Sequence, residues 1–174
     1  MYHGKLTVDF HGLVVFDPDR LAAFFGGTIP AGTNVYRTMT TTDAGEAVIE
    51  RGIVVPILGI NDSTYEVFVR SNDEASGVED GVIFTHGVYP LQVDRRLVLA
   101  DMATFVEWDQ DLGWVDLPVH QGRYAVTIRG FRYVHSSAVA RFGYEFCLDA
   151  RAALPAFTAD MHASMQVLEL PDGR

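Results

Sequence analysis

Residues 123–129 read Arg-Tyr-Ala-Val-Thr-Ile-Arg, with Tyr124, Val126 and Ile128 on one parity and Arg123, Thr127 and Arg129 on the other. Successive side chains of a strand point to opposite faces, so such a stretch buries one face and leaves the other polar. Phe142, Tyr144, Phe146 and Leu148 keep the same period, as do Tyr65, Val67 and Val69, and Leu6, Val8 and Phe10. Glycine, proline and Asn-Asp turn signals separate these runs. Strands in succession with little helix between them predict a mainly β fold, an antiparallel β-sandwich or small barrel with one or two short helices. The 174 residues fit one β-rich domain spanning 1–174.

Local chemistry refines that outline. Asp17-Pro18 predicts a helix start, with Leu21, Phe24 and Phe25 buried and Gly26-Gly27 ending it. Asn34–Met39 reads as a short strand. Asp43 is placed to cap one or two helical turns that stop at Gly52. Residues 53–60 and 64–70 flank Asn61-Asp62-Ser63 and predict a hairpin, with Pro56 favouring an edge. Ser71–Asp80 reads as an exposed loop. Further strands are expected at 81–87, 88–93, 97–101, 105–108 and 114–117, with 109–113 a turn. At Gly130 the apolar parity switches to Phe131 and Tyr133, which predicts a bulge. A loop over 135–141, a helical turn within 149–159, a last strand over 165–170 and a frayed tail from Pro171 complete the expectation.

The formal net charge is -10. Such a surface repels nucleic acid and anionic membranes and attracts basic partners, although plain solubility is the more ordinary reason for acidity. Cys147 is the single cysteine and sits in a strand, so no intrachain disulfide forms and a reducing compartment is the natural setting. No charged segment leads into an apolar one near Met1, and no apolar run nears the roughly 20 residues that span a bilayer. A cytoplasmic protein is expected.

Catalytic signatures are missing. The six histidines are dispersed without a close pair, and no Gly-x-Ser-x-Gly elbow or phosphate loop occurs. Carboxylates are too abundant for any pair to stand out. No catalytic residue, metal site or cofactor is therefore assigned, and an enzymatic role is disfavoured.

The segment least explained by burial is 107–116. Glu107, Trp108, Asp109, Asp111, Trp114 and Asp116 place four carboxylates and two indoles around an expected hairpin turn. Aromatic contact area flanked by negative charge suits a cationic protein patch. The plain alternative is a pair of cross-strand core indoles with a solvated acidic rim.

The order of features adds a family likeness. DAGEAVIERGIVVPI, YEVFVRS, YPLQV, LVLAD and DLPVHQGRYAVTI follow one another in a layout that resembles the competence protein J family over roughly residues 43–134. The more specific points are Glu50-Arg51-Gly52 closing a short acidic helix, and Asp116-Leu117-Pro118 followed by Gly122 and Tyr124 entering a strand. That family contains an inhibitor of a bacterial DNA-entry nuclease. The resemblance implies a binding protein of inhibitor or immunity type that masks a basic partner protein such as a nuclease. The alternative is a small-molecule site in the β scaffold, catalytic or not, lined by Tyr124, Phe131, Tyr133, Trp108 and His135. A homo-oligomer is compatible with either.

Overall fold

The computed structural model describes residues 1–135 and 138–168. Nine strands and four short helices are present among them: β1 (Tyr2–Val8), β2 (Gly12–Phe16), α1 (Pro18–Phe24), α2 (Val35–Thr41), α3 (Ala44–Glu50), β3 (Val54–Leu58), β4 (Ser63–Ser71), β5 (Val82–Val93), β6 (Leu97–Asp101), α4 (Ala103–Val106), β7 (Val115–Leu117), β8 (Gly122–His135) and β9 (Ala138–Arg151). They form a five-stranded sheet ordered β1-β4-β9-β8-β5 and a four-stranded sheet ordered β3-β2-β6-β7. The two sheets share one apolar core, so the expected sandwich is found and the barrel is not.

Alternation produces the larger sheet as expected. Val126, Ile128, Tyr144 and Phe146 are buried on its inner face beside Tyr65 and Val67. Pairing in that sheet is antiparallel except between β4 and β9, which run parallel. That junction needs close backbone approach at Gly143: a Cβ there would stand 1.8 Å from the carbonyl oxygen of Glu66.

Several local expectations give way to longer-range packing. Residues 53–70 are not a hairpin, because β3 belongs to the small sheet and β4 to the large one. The chain instead crosses between sheets, and Ile60 N donates to His11 O where the β1–β2 connection crosses beside it. Pro56 does lie on an edge strand, as its missing donor requires. The connection from Val93 to Leu97 is likewise a crossing, since β5 and β6 lie in different sheets.

Asn34–Met39 is helical, not extended. Asn34 caps α2 by accepting from Arg37 N at 2.7 Å, and three threonine hydroxyls at its end donate back to helix carbonyls. Residues 105–108 are also not a strand: α4 takes Phe105 and Val106, and the two residues after it are irregular. Gly52 closes α3 with φ +65°, the left-handed conformation expected there. Residues 152–159 hold no helix, and 165–168 are not a strand. The end of that expected strand and the tail, 169–174, lie outside the described residues, as do 136–137 of the expected loop, whose flanks belong to β8 and β9.

Asp17 starts α1 as predicted and does more. Its carboxylate is fully buried. Oδ1 accepts from Asp19 N and Arg20 N, while Oδ2 accepts from Asp94 N at 2.7 Å and Arg95 N at 3.2 Å. Four backbone donors offset the cost of burying the charge, and they tie the helix start to the β5–β6 crossing.

The irregularity expected at Gly130 is found only on one side: register with β5 shifts there, between Val82 and Phe84, while register with β9 continues. The parity switch itself comes from Phe131, which is buried on the outer face of the large sheet with Phe68 and Val78. Val78 comes from the 71–80 segment, which is a mostly exposed loop as expected but folds this one residue onto the sheet. A second, small apolar cluster, with His3 stacked on Phe68 at 4.1 Å, explains the switch.

Candidate functional site

The 107–116 segment is a short helix, a turn and a return strand. β6 ends at Asp101, whose Oδ1 accepts from Ala103 N at 3.0 Å and so begins α4. The return strand β7 pairs with β6 and not with residues 105–108. The segment is thus not the expected hairpin.

Its two indoles turn inward. Trp108 is buried, and Trp114 is half-buried. Their rings lie 5.1 Å apart at 67°. Phe16 meets Phe105 at 5.1 Å and Trp114 at 5.2 Å, so the four rings form one edge-to-face assembly. Trp114 Nε1 donates to Thr104 Oγ1 at 2.7 Å, satisfying its polar edge. Backbone bonds between Trp108 and the loop at Gly32 and Thr33 fix that loop alongside.

The carboxylates divide into two groups. Asp111 and Asp116 both pair with Arg96, which lies over the Trp114 ring at 5.5 Å. The hydrogen bond that Arg96 donates to Asp111 holds its guanidinium above its usual pKa. Glu107 and Asp109 are exposed, and neither side chain has a hydrogen-bond partner among the described residues. Both line a surface cavity of about 450 Å³, together with Asp101, Thr104, Trp108 and Leu112. Leu112 is 69% exposed at its rim. Five carboxylates against one guanidinium leave this surface negative, and a buried aromatic assembly holds it rigid.

No family model matches the chain, and no curated protein matches it in sequence. Two solved structures do match. One is ComJ from Bacillus subtilis, an inhibitor of the DNA degrading activity of NucA: 14% identity, 87% of this chain and 96% of that one, TM-score 0.51. The chain shares the ComJ fold. The second is crocagin biosynthetic gene J, at 14% identity, 86% of this chain, 99% of that one and TM-score 0.50. The resemblance seen over residues 43–134 thus extends, as a fold, well beyond that stretch.

The residues expected around a small-molecule site are not brought together. Trp108 belongs to the main core and Phe131 to the outer cluster, against which Tyr133 packs. Tyr124 donates its hydroxyl to His120 O at 2.7 Å. The His135 side chain lies outside the described part of the structure. Cys147 is buried, and burial pushes its thiol up to about 11, so it is protonated at neutral pH. Among the described residues no cluster of histidine, cysteine and acidic side chains has the geometry to hold a metal. No helix among them is long and apolar enough to cross a membrane.

Sequence reasoning missed Asp101 and Leu112 as parts of the acidic cavity. Their only signal was adjacency to the acidic segment, and Asp101 read as the end of a strand.

Proposed function

We propose that this protein binds a basic protein surface through the cavity bearing Glu107 and Asp109, and that the partner is a nuclease whose DNA-binding surface it masks. The observation that carries the reading is the pair of unpartnered carboxylates held at an aromatic-floored cavity on a ComJ fold. ComJ inhibits the DNA degrading activity of NucA. Carboxylates without intramolecular partners are free to meet lysine or arginine, and Leu112 offers apolar contact at the same rim. Asp111 and Asp116 act through Arg96, which they hold against Trp114; they shape the surface more than they contact the partner.

The test is inhibition of DNA cleavage by a purified NucA-type nuclease, titrated with this protein at low and high salt. Inhibition that weakens with salt is expected. The double variant Glu107→Lys, Asp109→Lys should bind at least about tenfold more weakly, because two attractive contacts become repulsive. Nuclease activity untouched by an excess of folded protein rejects the nuclease as partner. Equal inhibition by the double variant rejects the site.

A further inference from the structure

The outer face of the large sheet carries a different chemistry from the rest of this acidic chain. On β8 and β9 the outward positions pair across strands as Arg129 with Glu145, Thr127 with Cys147, Ala125 with Asp149 and Arg123 with Arg151. Arg70 of β4 lies opposite Cys147 on the other side. Four arginines therefore share one face, in a protein with a net charge of -10.

Most of these side chains, though not Arg123 or Glu145, surround a cavity of about 280 Å³, lined by Arg70, Arg129, Arg151, Thr85, Thr127 and Asn72, with Cys147 and Asp149 among the rest. The lining is rich in donors: three guanidinium groups, two hydroxyls and one carboxamide. Glu145 is fully buried beside it and already serves two arginines, Arg129 at 2.8 Å and Arg70 at 3.2 Å. Arg70 is itself nine-tenths buried. Its Nη1 donates to Ser71 O and Glu74 O, while its Nε has no hydrogen-bond partner despite its nearness to Glu145. Asp149 pairs with Arg151, while Arg123 donates Nη1 to Ala152 O and lies within electrostatic reach of Asp94. Like charges directly opposite on neighbouring strands destabilise a sheet unless something neutralises them.

We infer that this outer-face cavity binds a phosphate-class oxyanion carried by a small molecule. Guanidinium groups match phosphate oxygens in two-pronged geometry, and the two threonine hydroxyls supply further donors. An oxyanion there offsets the one positive charge that Arg70, Arg129 and Arg151 carry beyond Glu145 and Asp149. The cavity volume suits a phosphate with a short substituent and not a polymer. The site lies on the opposite sheet from the Glu107 and Asp109 cavity and does not depend on that reading.

The probes are inorganic phosphate, glycerol 3-phosphate and malonate, titrated calorimetrically into the intact protein at low salt. Phosphate binding is expected, weakened about tenfold in Arg151→Gln, which removes a charge-assisted donor. Asp149→Asn should tighten binding severalfold, because it frees Arg151. Both positions are partly exposed, and far-ultraviolet circular dichroism checks that both variants fold. Tighter binding of glycerol 3-phosphate than of inorganic phosphate supports an organic phosphate as the natural ligand, and equal binding supports free phosphate. Absence of phosphate binding, unchanged binding in both variants, or tighter binding of malonate overturns the proposal.

Discussion

Arg129 Nη1 donates to Glu145 Oε2 at 2.8 Å from the position directly opposite on the neighbouring strand. Ser76 Oγ donates to the same carboxylate at 2.9 Å, and Arg70 approaches from β4. Removing one partner of a buried ion pair strands the others without water. Glu145→Ala is predicted to lower unfolding free energy by about 3–5 kcal/mol, measured by urea denaturation. Joint replacement of Arg70, Glu145 and Arg129 by Met, Leu and Met should restore most of that loss, because no charge is then left buried. A single variant as stable as wild type would show that the carboxylate is not buried as described.

The two indoles and the two unpartnered acids should separate cleanly on mutation. Trp108→Ala removes a buried ring from a four-ring assembly and is predicted to cost about 3–5 kcal/mol. Glu107→Ala and Asp109→Ala touch nothing and should stay within about 0.5 kcal/mol of wild type. Thermal or urea unfolding measures both effects. Destabilisation by the acid variants would mean that those carboxylates have intramolecular partners.

Glu66 gives a pH dependence with a definite sign. Arg141 hydrogen-bonds its carboxylate at 2.7 Å and holds its pKa below the usual 4.5, with His3 adding to the effect and partial burial opposing it. A carboxyl depressed in the folded state stabilises above its unfolded pKa, and that contribution fades as pH falls through the folded value. Wild type should exceed Glu66→Gln in stability at neutral pH. The gap should close on titration from about pH 5 to about pH 3, followed by urea midpoints. A gap that stays constant across that window contradicts the assignment.

What could be read in advance was the chemistry that acts over a few residues. Tyr124–Ile128 and Phe142–Leu148 announced β8 and β9 because one face of each is buried. Asp17-Pro18 announced α1 because capping is local. Asn34 carried the same kind of signal for α2, but the β-branched residues that follow it favoured a strand reading. Asn61-Asp62-Ser63 has turn chemistry, yet a turn does not say whether its flanks pair with each other. The fully buried β2 decided that by taking β3 as its neighbour. At the candidate site, Trp108 and Asp109 are adjacent in sequence and face opposite environments, which composition alone does not resolve. The arginines of the outer face are dispersed over three strands and had no sequence signature.

The position of β9 between β4 and β8 has a consequence for synthesis. Residues 2–71 emerge from the ribosome long before 138–151, yet β4 finds its second neighbour only in β9. Until then one edge of β4 presents unpaired amides and carbonyls, a surface open to strand addition by other chains. Non-local pairing of this kind slows folding and lengthens that exposure. Arg70, at the end of β4, waits through the same interval for Glu145. Charge repulsion between nascent acidic chains is then a safeguard during translation, whatever its later use at a binding surface.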